Sequence, residues 1–536
     1  METRNLAHIC VSEPCEFGDG EKKAFTWISN DLSQEDFSYS DLDKRSNKIA
    51  NILKKYDIVK RDIVSIFLPK SPEVAISFFA ILKNEATACI LFSTFGENAL
   101  YDRLSDSKSK IIITKKSLLK KVLKVQSNLP DLKIILVTDL EEHQDKNVLS
   151  LPTLLKDASG TFQFSSMVDA ELPAFIQYTS GSTGKPKGAL HVHSAYTAMN
   201  NSFQEVFNLQ DNDIYWCTAD PAWITGLVYG LIAPLGTRID QIHFGGNFNS
   251  AKWLGILQDE KVSVWYTAPT ALRMLMQEDS ALFTEFDCPY LSRIYSVGEP
   301  LNPEIYFWGK KVFGCEIYDN WFQSETGSIM ITNKPGQSIK PGSMGKPLSY
   351  INAFILDENM LPVTGKEQGH LCLKKGWASM FRTYINKEEL YQAKFADIAY
   401  ITGDLAYKDE DGYFWYISRS DDVINTAGHL VGPFEVESAL LEIEDIADVA
   451  VIGVPDPTLY EKIIAFICLK KGTEWSPELE LKCRVNISNK VSTMATPQEY
   501  HIVDKIPKNK SGKILRRVLK ARYEGKDPGD LSTMEE

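Results

Sequence analysis

Residues 174–188 read AFIQYTSGSTGKPKG. The run AFIQY predicts a buried strand, and the mixed run GALHVHSAY after the loop resumes ordered structure. Between them lie small, hydroxylated, cationic or ring-locked side chains, the composition of a phosphate grip. A Walker A loop would need Ser or Thr after Gly184-Lys185, where the hydroxyl binds Mg²⁺ and a helix begins. Here Pro186 follows. It has no N–H and biases Lys185 away from the helical region, so the Walker geometry is absent. What remains is a loop with amides at Gly181, Gly184 and Gly188 and hydroxyls at Thr179, Ser180, Ser182 and Thr183. Lys185 and Lys187 supply charge. That suits a mobile cover over the outer phosphates of a triphosphate. A Ser/Gly linker is the ordinary alternative for such a composition, and the ordered runs on both sides weigh against it.

The chain around this loop has 536 residues, more than one core usually fills, so two or more domains are expected. Apolar DIVSIFL (62–68), ACILF (88–92), KIIIT (110–114) and KIILVTD (133–139) read as strands, and PEVAISFFAILKN (72–84) as a helix. VSVWYTAP (262–269) and RIYSVGEP (293–300) continue the pattern. Strands alternating with helices predict a large α/β domain with layered, parallel-rich sheets. Near residue 400 the texture changes: YITGDLAYKDEDGYFWYISR holds two alternating aromatic runs joined at Asp411-Gly412, a hairpin signal. SDDVINTAG after it is polar and turn-prone, which places a boundary there. From about 421 the chain restarts as a small α+β unit ending in a basic helix. The expectation is a large domain over 1–420 and a small mobile lid over 421–536.

Bulk properties remove several function classes. A formal net charge of −13 argues against a nucleic-acid backbone as partner. Nine cysteines without a C-x-x-C pair, and no signal peptide, point to reduced thiols and a cytoplasmic protein. The most apolar stretch, WITGLVYGLIAPLG at 223–236, is too short for a bilayer and broken by glycines, so no membrane partner is expected.

Several ligand-type clusters follow the loop at wide spacing. YDNWFQSETG (318–327) sets Asp319, Asn320, Gln323, Ser324 and Glu325 beside Trp321 and Phe322. Glu325 is a candidate Mg²⁺ ligand, since a hard cation beside phosphates takes few carboxylates. An acidic residue in a polar turn reads as well if that motif stands alone. ITGD (401–404) ends a strand with a carboxylate suited to ribose hydroxyls, although a turn aspartate is the commoner role in isolation. SRSDD (418–422) adds Arg419, and KSGK (510–513) presents Lys513 on a loop.

Together YTSGSTGKPKG, SVGEP, YDNWFQSETG, ITGD, GYFWYISRSDDVINTAGH and PKNKSGK, in that order, resemble the acyl-adenylate-forming superfamily of acyl-CoA synthetases and adenylation domains. The match runs from roughly residue 40 to the C-terminus. TADPAWITGLVYGLIAPL, LFSTFGENALYDRL, GPFEVESAL and GDLSTMEE are similar to its short acetyl-CoA synthetase branch. The resemblance implies ATP, Mg²⁺ and coenzyme A as reactants and two steps: a carboxylate and ATP give acyl-AMP and pyrophosphate, then CoA gives acyl-CoA and AMP. It implies that Thr179, Ser180, Gly181, Ser182, Thr183, Gly184 and Lys185 cover the departing pyrophosphate, and that Glu325 holds Mg²⁺. Gly298, Glu299 and Pro300, with Asp319, Asn320, Trp321 and neighbouring Gln323 and Ser324, match the nucleotide wall; Asp404 and Arg419 match the ribose contacts. Lys513 matches the lysine that bridges carboxylate and α-phosphate. Asp421 matches the hinge, and Gly428 a glycine beside the pantetheine tunnel.

By the same resemblance, acyl specificity rests on Trp223, Ile224, Thr225, Val297 and Phe322. Acetyl-CoA synthetases commonly carry a second Trp where this chain has Phe322, which leaves acetate and somewhat longer acids both open. Leu430 stands where larger relatives have an Arg, and Glu85, Cys89 and Ile90 replace the usual Gly, Gly and Pro. In relatives the lysine at 513 is a target of reversible acylation, so a lysine acyltransferase and deacylase are conceivable partners. The leading expectation is an AMP-forming ligase of acetate or another short-chain acid. The alternatives are an enzyme loading a carrier protein, ranked lower because the tail resembles CoA ligases and no carrier domain follows residue 536, and a non-catalytic nucleotide-binding protein, disfavoured by Lys513, Glu325, Asp404 and Arg419.

Overall fold

Short β-branched runs buried on both faces are what a helix-covered parallel sheet requires. In the computed structural model IVSIF, IIIT and IILV form such strands at Ile63–Phe67, Ile111–Thr114 and Ile134–Val137. The structure describes every residue except 181–185, 364, 398, 428, 510, 511, 530, 532, 533, 535 and 536. Thr87–Ile90 and Val148–Ser150 extend this sheet in parallel, as does Pro173–Ser180, the strand read from AFIQY. Pro173–Ser180 also pairs antiparallel with Pro186–Val192, so the glycine-rich loop joins the two strands of a ribbon.

A second sheet of nine strands is parallel through its six central members, from Glu316–Trp321 to Lys23–Ile28. Val64 and Ile112 of the first sheet and Tyr215, Tyr266 and Tyr295 of the second belong to one buried cluster, so the main core spans both layers. Helix Tyr39–Lys55 starts at a capping box: Ser38 Oγ accepts from the Asp41 amide and the Asp41 carboxylate accepts from the Ser38 amide, both at 3.1 Å. The stretch at 223–236 folds into buried helical turns, Ile224–Leu227, Val228–Ile232 and Ala233–Thr237. Among the described residues no helix is long and apolar enough to cross a membrane.

The aromatic hairpin forms as read, Ala399–Lys408 against Phe414–Arg419, in a third, antiparallel sheet. Its turn spans 409–413, with Gly412 at φ +86° and the Asp409 carboxylate accepting from the amides of Asp411 and Tyr413. The smaller C-terminal unit has its own sheet and core, built around Ile446–Asp456, Tyr460–Leu469, and helices Pro433–Leu441 and Pro477–Lys490. SDDVINTAG is not turn throughout: Ile424–Thr426 is a strand of this sheet. Ile424 and Thr426 are buried on its inner face and Asn425 alternates away, a period too short to stand out among polar neighbours.

Asn302 Nδ2 donates to Ser438 Oγ at 2.8 Å and Gln277 Nε2 to the Ala447 carbonyl at 2.9 Å, bringing the smaller unit against the larger. Glu85 takes φ +54° and pairs with Lys60 at 2.7 Å, while Cys89 and Ile90 are buried in their strand.

Candidate active site

A parallel sheet delivers the loops at its carboxyl ends to one edge. Strands Ile214–Cys217, Val264–Thr267, Arg293–Ser296 and Glu316–Trp321 are consecutive neighbours of the second sheet and all parallel. The segments that follow them carry Trp223, Ile224 and Thr225; then Thr270; then Val297, Gly298, Glu299 and Pro300; then Phe322, Gln323, Ser324 and Glu325. Residues from Trp223 to Glu325 thus share an edge.

Asp404, on the hairpin, is buried and accepts three hydrogen bonds. Trp321 Nε1 and Gln323 Nε2 donate to Oδ2 at 3.0 and 2.9 Å, and Arg419 to Oδ1 at 3.0 Å. Tyr400 Oη holds Gln323 from behind, donating to its Oε1 at 2.9 Å. A carboxylate has about four acceptor positions, so at least one is left for a hydroxyl. Arg419, lifted above its ordinary value chiefly by Asp404, also faces Asp421 at 3.6 Å.

Glu325 accepts from Tyr384 Oη at 2.6 Å. The preceding carbonyl, of Ser324, contacts His191 Nε2 at 2.8 Å. Burial lowers His191 to about 4, so it is neutral at physiological pH and Nε2–H is the donor. Thr179 hydroxyl reaches the Lys187 carbonyl at 3.4 Å, bracing the ribbon at the mouth of the glycine-rich loop. Gly181, Ser182, Thr183, Gly184 and Lys185 lie outside the described residues, as does Gly428; Ser180 ends its strand.

The loop carrying Lys513 is seated on the larger unit. Thr270 Oγ1 donates to the Gly512 carbonyl at 3.3 Å, and Glu299 in turn accepts from the Thr270 amide at 2.6 Å. Gly512 has φ +87°, and a Cβ there would stand 2.3 Å from Thr270 Oγ1 and 2.8 Å from Glu299 Oε1. Only glycine fits. Lys513 keeps solvent contact along the cleft, yet the protein around it strips away enough water to lower its pKa. Nearby Arg419 lowers it further, while Asp422, Asp404 and Asp421 oppose.

A family model described as AMP-binding enzyme matches residues 18–385, and one described as AMP-binding enzyme C-terminal domain matches 435–513. The chain belongs to the AMP-binding enzyme family. Acetyl-coenzyme A synthetase of Bacillus subtilis (strain 168) is 42% identical over 518 residues, 96% of this chain and 90% of that one. The protein of the same description from Escherichia coli (strain K12) is 36% identical over 561 residues, 99% of this chain and 86% of that one. The crystal structure of the anthranilate CoA ligase AuaEII in complex with anthranoyl-AMP superposes with a TM-score of 0.89 at 26% identity, covering 97% of each chain.

In this AMP-binding enzyme the predicted acyl residues follow three strands of the second sheet, Ile224 and Thr225 in the helical turn capped by Trp223. Trp223 packs on Phe92 with ring centroids 4.7 Å apart, and Phe322 meets Tyr229 edge-on at 5.4 Å. Val297, Ile224 and Thr225 are buried. Asp319 turns inward: its carboxyl accepts from Ser296 Oγ at 2.5 Å, and burial raises it to about 7. Asn320 accepts from Tyr266 Oη at 2.9 Å, and its Nδ2 is buried without a partner among the described residues. Leu430 is exposed on the short strand His429–Val431 and presents no charge there.

Four residues of the site escaped motif reading. Thr270, Tyr384 and His191 position others, and Lys394 stands among Glu325, Arg419, Lys187 and Asp404. His191 lay in the quoted run LHVHS without a visible role. Lys394 sits in NKEELYQAKFAD, an ordinary charged stretch, and only the fold carries it to the cleft.

Proposed function

We propose that this AMP-binding enzyme is an AMP-forming acetate–CoA ligase. A carboxylate oxygen attacks the α-phosphorus of ATP, the bond to the β-phosphate breaks, and pyrophosphate leaves. The CoA thiol then gives its proton to solvent, its sulfur attacks the acyl carbon, and AMP departs. The observation that carries this reading is the docked loop of Lys513, which brings a cation from the smaller unit to the edge where Asp404 and Arg419 stand. The near-full-length identity to acetyl-coenzyme A synthetases supports acetate as the acid.

In step one two anions must meet, so positioning and charge neutralisation do most of the work. Lys513 supplies the charge between the reacting groups. Asp404 takes the ribose, Trp321 and Glu299 flank the nucleotide, and the ribbon from Thr179 to Lys187 covers the outer phosphates. Among the described residues no three His, Cys, Asp or Glu gather as a metal site. A lone carboxylate suits Mg²⁺, which takes its other ligands from phosphates and water. Glu325 would hold it, and its chemistry there is to offset charge on the leaving pyrophosphate.

The boundary between the two units falls at 420/421, with Asp421 as hinge. Rotation about it withdraws Lys513 and opens a path for the thiol. The exposed Lys513 would then be open to acylation, which removes its charge.

Separating the half-reactions tests this. In Lys513→Ala, acetate-dependent pyrophosphate exchange drops roughly 100- to 1,000-fold, as for loss of one oriented transition-state group. Acetyl-CoA formation from preformed acetyl-AMP and CoA persists. Equal loss of both would reject the assignment, and a wild-type preference for octanoate over acetate would reject the acid.

A further inference from the structure

Lys394 lies on the turn between helix Glu388–Gln392 and the short strand Phe395–Ala396, which pairs with strand Ala399–Lys408. Its backbone is fixed on both sides: its amide donates to the Tyr391 carbonyl at 3.0 Å, and its carbonyl accepts from the Ile401 amide at 2.8 Å. The side chain runs over Gly403, the glycine of ITGD. A Cβ on Gly403 would stand 3.7 Å from Lys394 Nζ and 3.2 Å from a terminal nitrogen of Arg419. Two cations therefore approach one point on the backbone, Arg419 closely and Lys394 at ordinary contact distance.

Glu325 and Asp404 both act on the lysine through space, yet neither bonds to it. Asp404 is engaged by Trp321, Gln323 and Arg419, and Glu325 by Tyr384. Lys394 Nζ has no hydrogen bond or ion pair among the described residues, although the side chain is half-buried. A cation held out of water without a partner is unfavourable unless an anion completes the site. Lys187 faces the same space from the phosphate ribbon, so Lys394, Lys187 and Arg419 stand around Glu325 and Asp404, while Lys513 lies among Arg419, Asp404, Asp421 and Asp422. Around Lys394 three cations, the lysine included, meet two carboxylates, a balance that favours an incoming anion.

We infer that Lys394 is a phosphate-binding residue of the adenylation step, contacting the β- and γ-phosphates of ATP between Lys187 and Glu325. This rests on the ligase reading above and adds to it a residue that no motif of the chain marks. The lysine neutralises charge on the pyrophosphate. Being on the larger unit, it remains in place when Lys513 is withdrawn.

Equilibrium binding of ATP and of AMP, each with Mg²⁺, provides the test in wild type, Lys394→Met and Lys394→Arg. A charged hydrogen bond of ordinary strength predicts that Lys394→Met weakens ATP roughly 10- to 100-fold. AMP affinity, thermal midpoint, and the rate from preformed acetyl-AMP and CoA stay at wild-type levels, and Lys394→Arg recovers most of the ATP affinity. Unchanged ATP affinity in Lys394→Met overturns the inference. So does equal weakening of ATP and AMP, which would place the lysine at the α-phosphate or make it structural. A wild-type protein that binds ATP but makes no acyl-adenylate would reject the ligase reading while leaving the phosphate contact standing.

Discussion

At position 322 a phenyl ring stands edge-on to Tyr229 at the end of strand Glu316–Trp321. An indole there is larger than the phenyl ring and would take up more of the space beside Tyr229. One methylene of room in an apolar pocket changes discrimination by roughly 10- to 200-fold. Phe322→Trp is therefore expected to cut kcat/KM for propionate about tenfold relative to acetate, with acetate little affected. Steady-state kinetics on both acids check it, and an unchanged ratio would remove Phe322 from the pocket floor. Single residues of this kind were legible because each belongs to a motif. Lys394 was not, because a lysine in a charged stretch carries no local mark.

Between elements, the ribbon and the strand-end loop are fastened together. Leu190 donates its amide to the Thr383 carbonyl and Ala189 bridges to Tyr384, which sets the Tyr384 hydroxyl against Glu325. Burial and the Glu325 charge both raise the Tyr384 pKa, so the phenol stays protonated and donates. Removing an outer partner of a metal-binding carboxylate lowers metal affinity by about tenfold or more. Tyr384→Phe should therefore raise the Mg²⁺ concentration for half-maximal pyrophosphate exchange about tenfold while leaving ATP-independent thioester formation intact. A Mg²⁺ titration of the variant decides it; an unshifted curve separates Glu325 from the metal. The strands were legible as apolar runs. Tyr384 was not, since its partner lies 59 residues away in sequence.

For the whole molecule, the contact between the two units contains a titrating group near neutrality. Glu304 opens helix Pro303–Phe313 and faces Lys470 and Glu442 of the smaller unit and Arg273 of the larger. Burial raises it from 4.5 to about 7, with Glu442 adding and Lys470 and Arg273 opposing. If the smaller unit swings away, the carboxyl returns to water and toward its ordinary value. The docked form then holds the proton more tightly, so docking takes up a proton between those two values. Docking is favoured at low pH, weakens as pH rises from about 4.5 through 7, and levels off above. A dye pair spanning the two units should report less docking at pH 8 than at pH 6, and Glu304→Gln should flatten that difference. A slope that survives Glu304→Gln would assign it to another group.

The ordered motifs by themselves determined the family and the two-step chemistry, and they named Lys513, Glu325, Asp404 and Arg419 as candidates, because each chemical role needs a particular side chain beside a turn-forming neighbour. Apolar periodicity determined the layered α/β class. The tertiary structure alone decided how these residues meet. Four parallel strands ending at one edge bring distant loops together, and close packing fixes Gly512 against Thr270 and Gly403 beneath two cations. The strand Ile424–Thr426, the tyrosine behind Glu325 and the lysine over Gly403 are set by contacts between segments far apart in the chain. Local propensity and composition do not encode such contacts; burial and charge balance in the folded protein do.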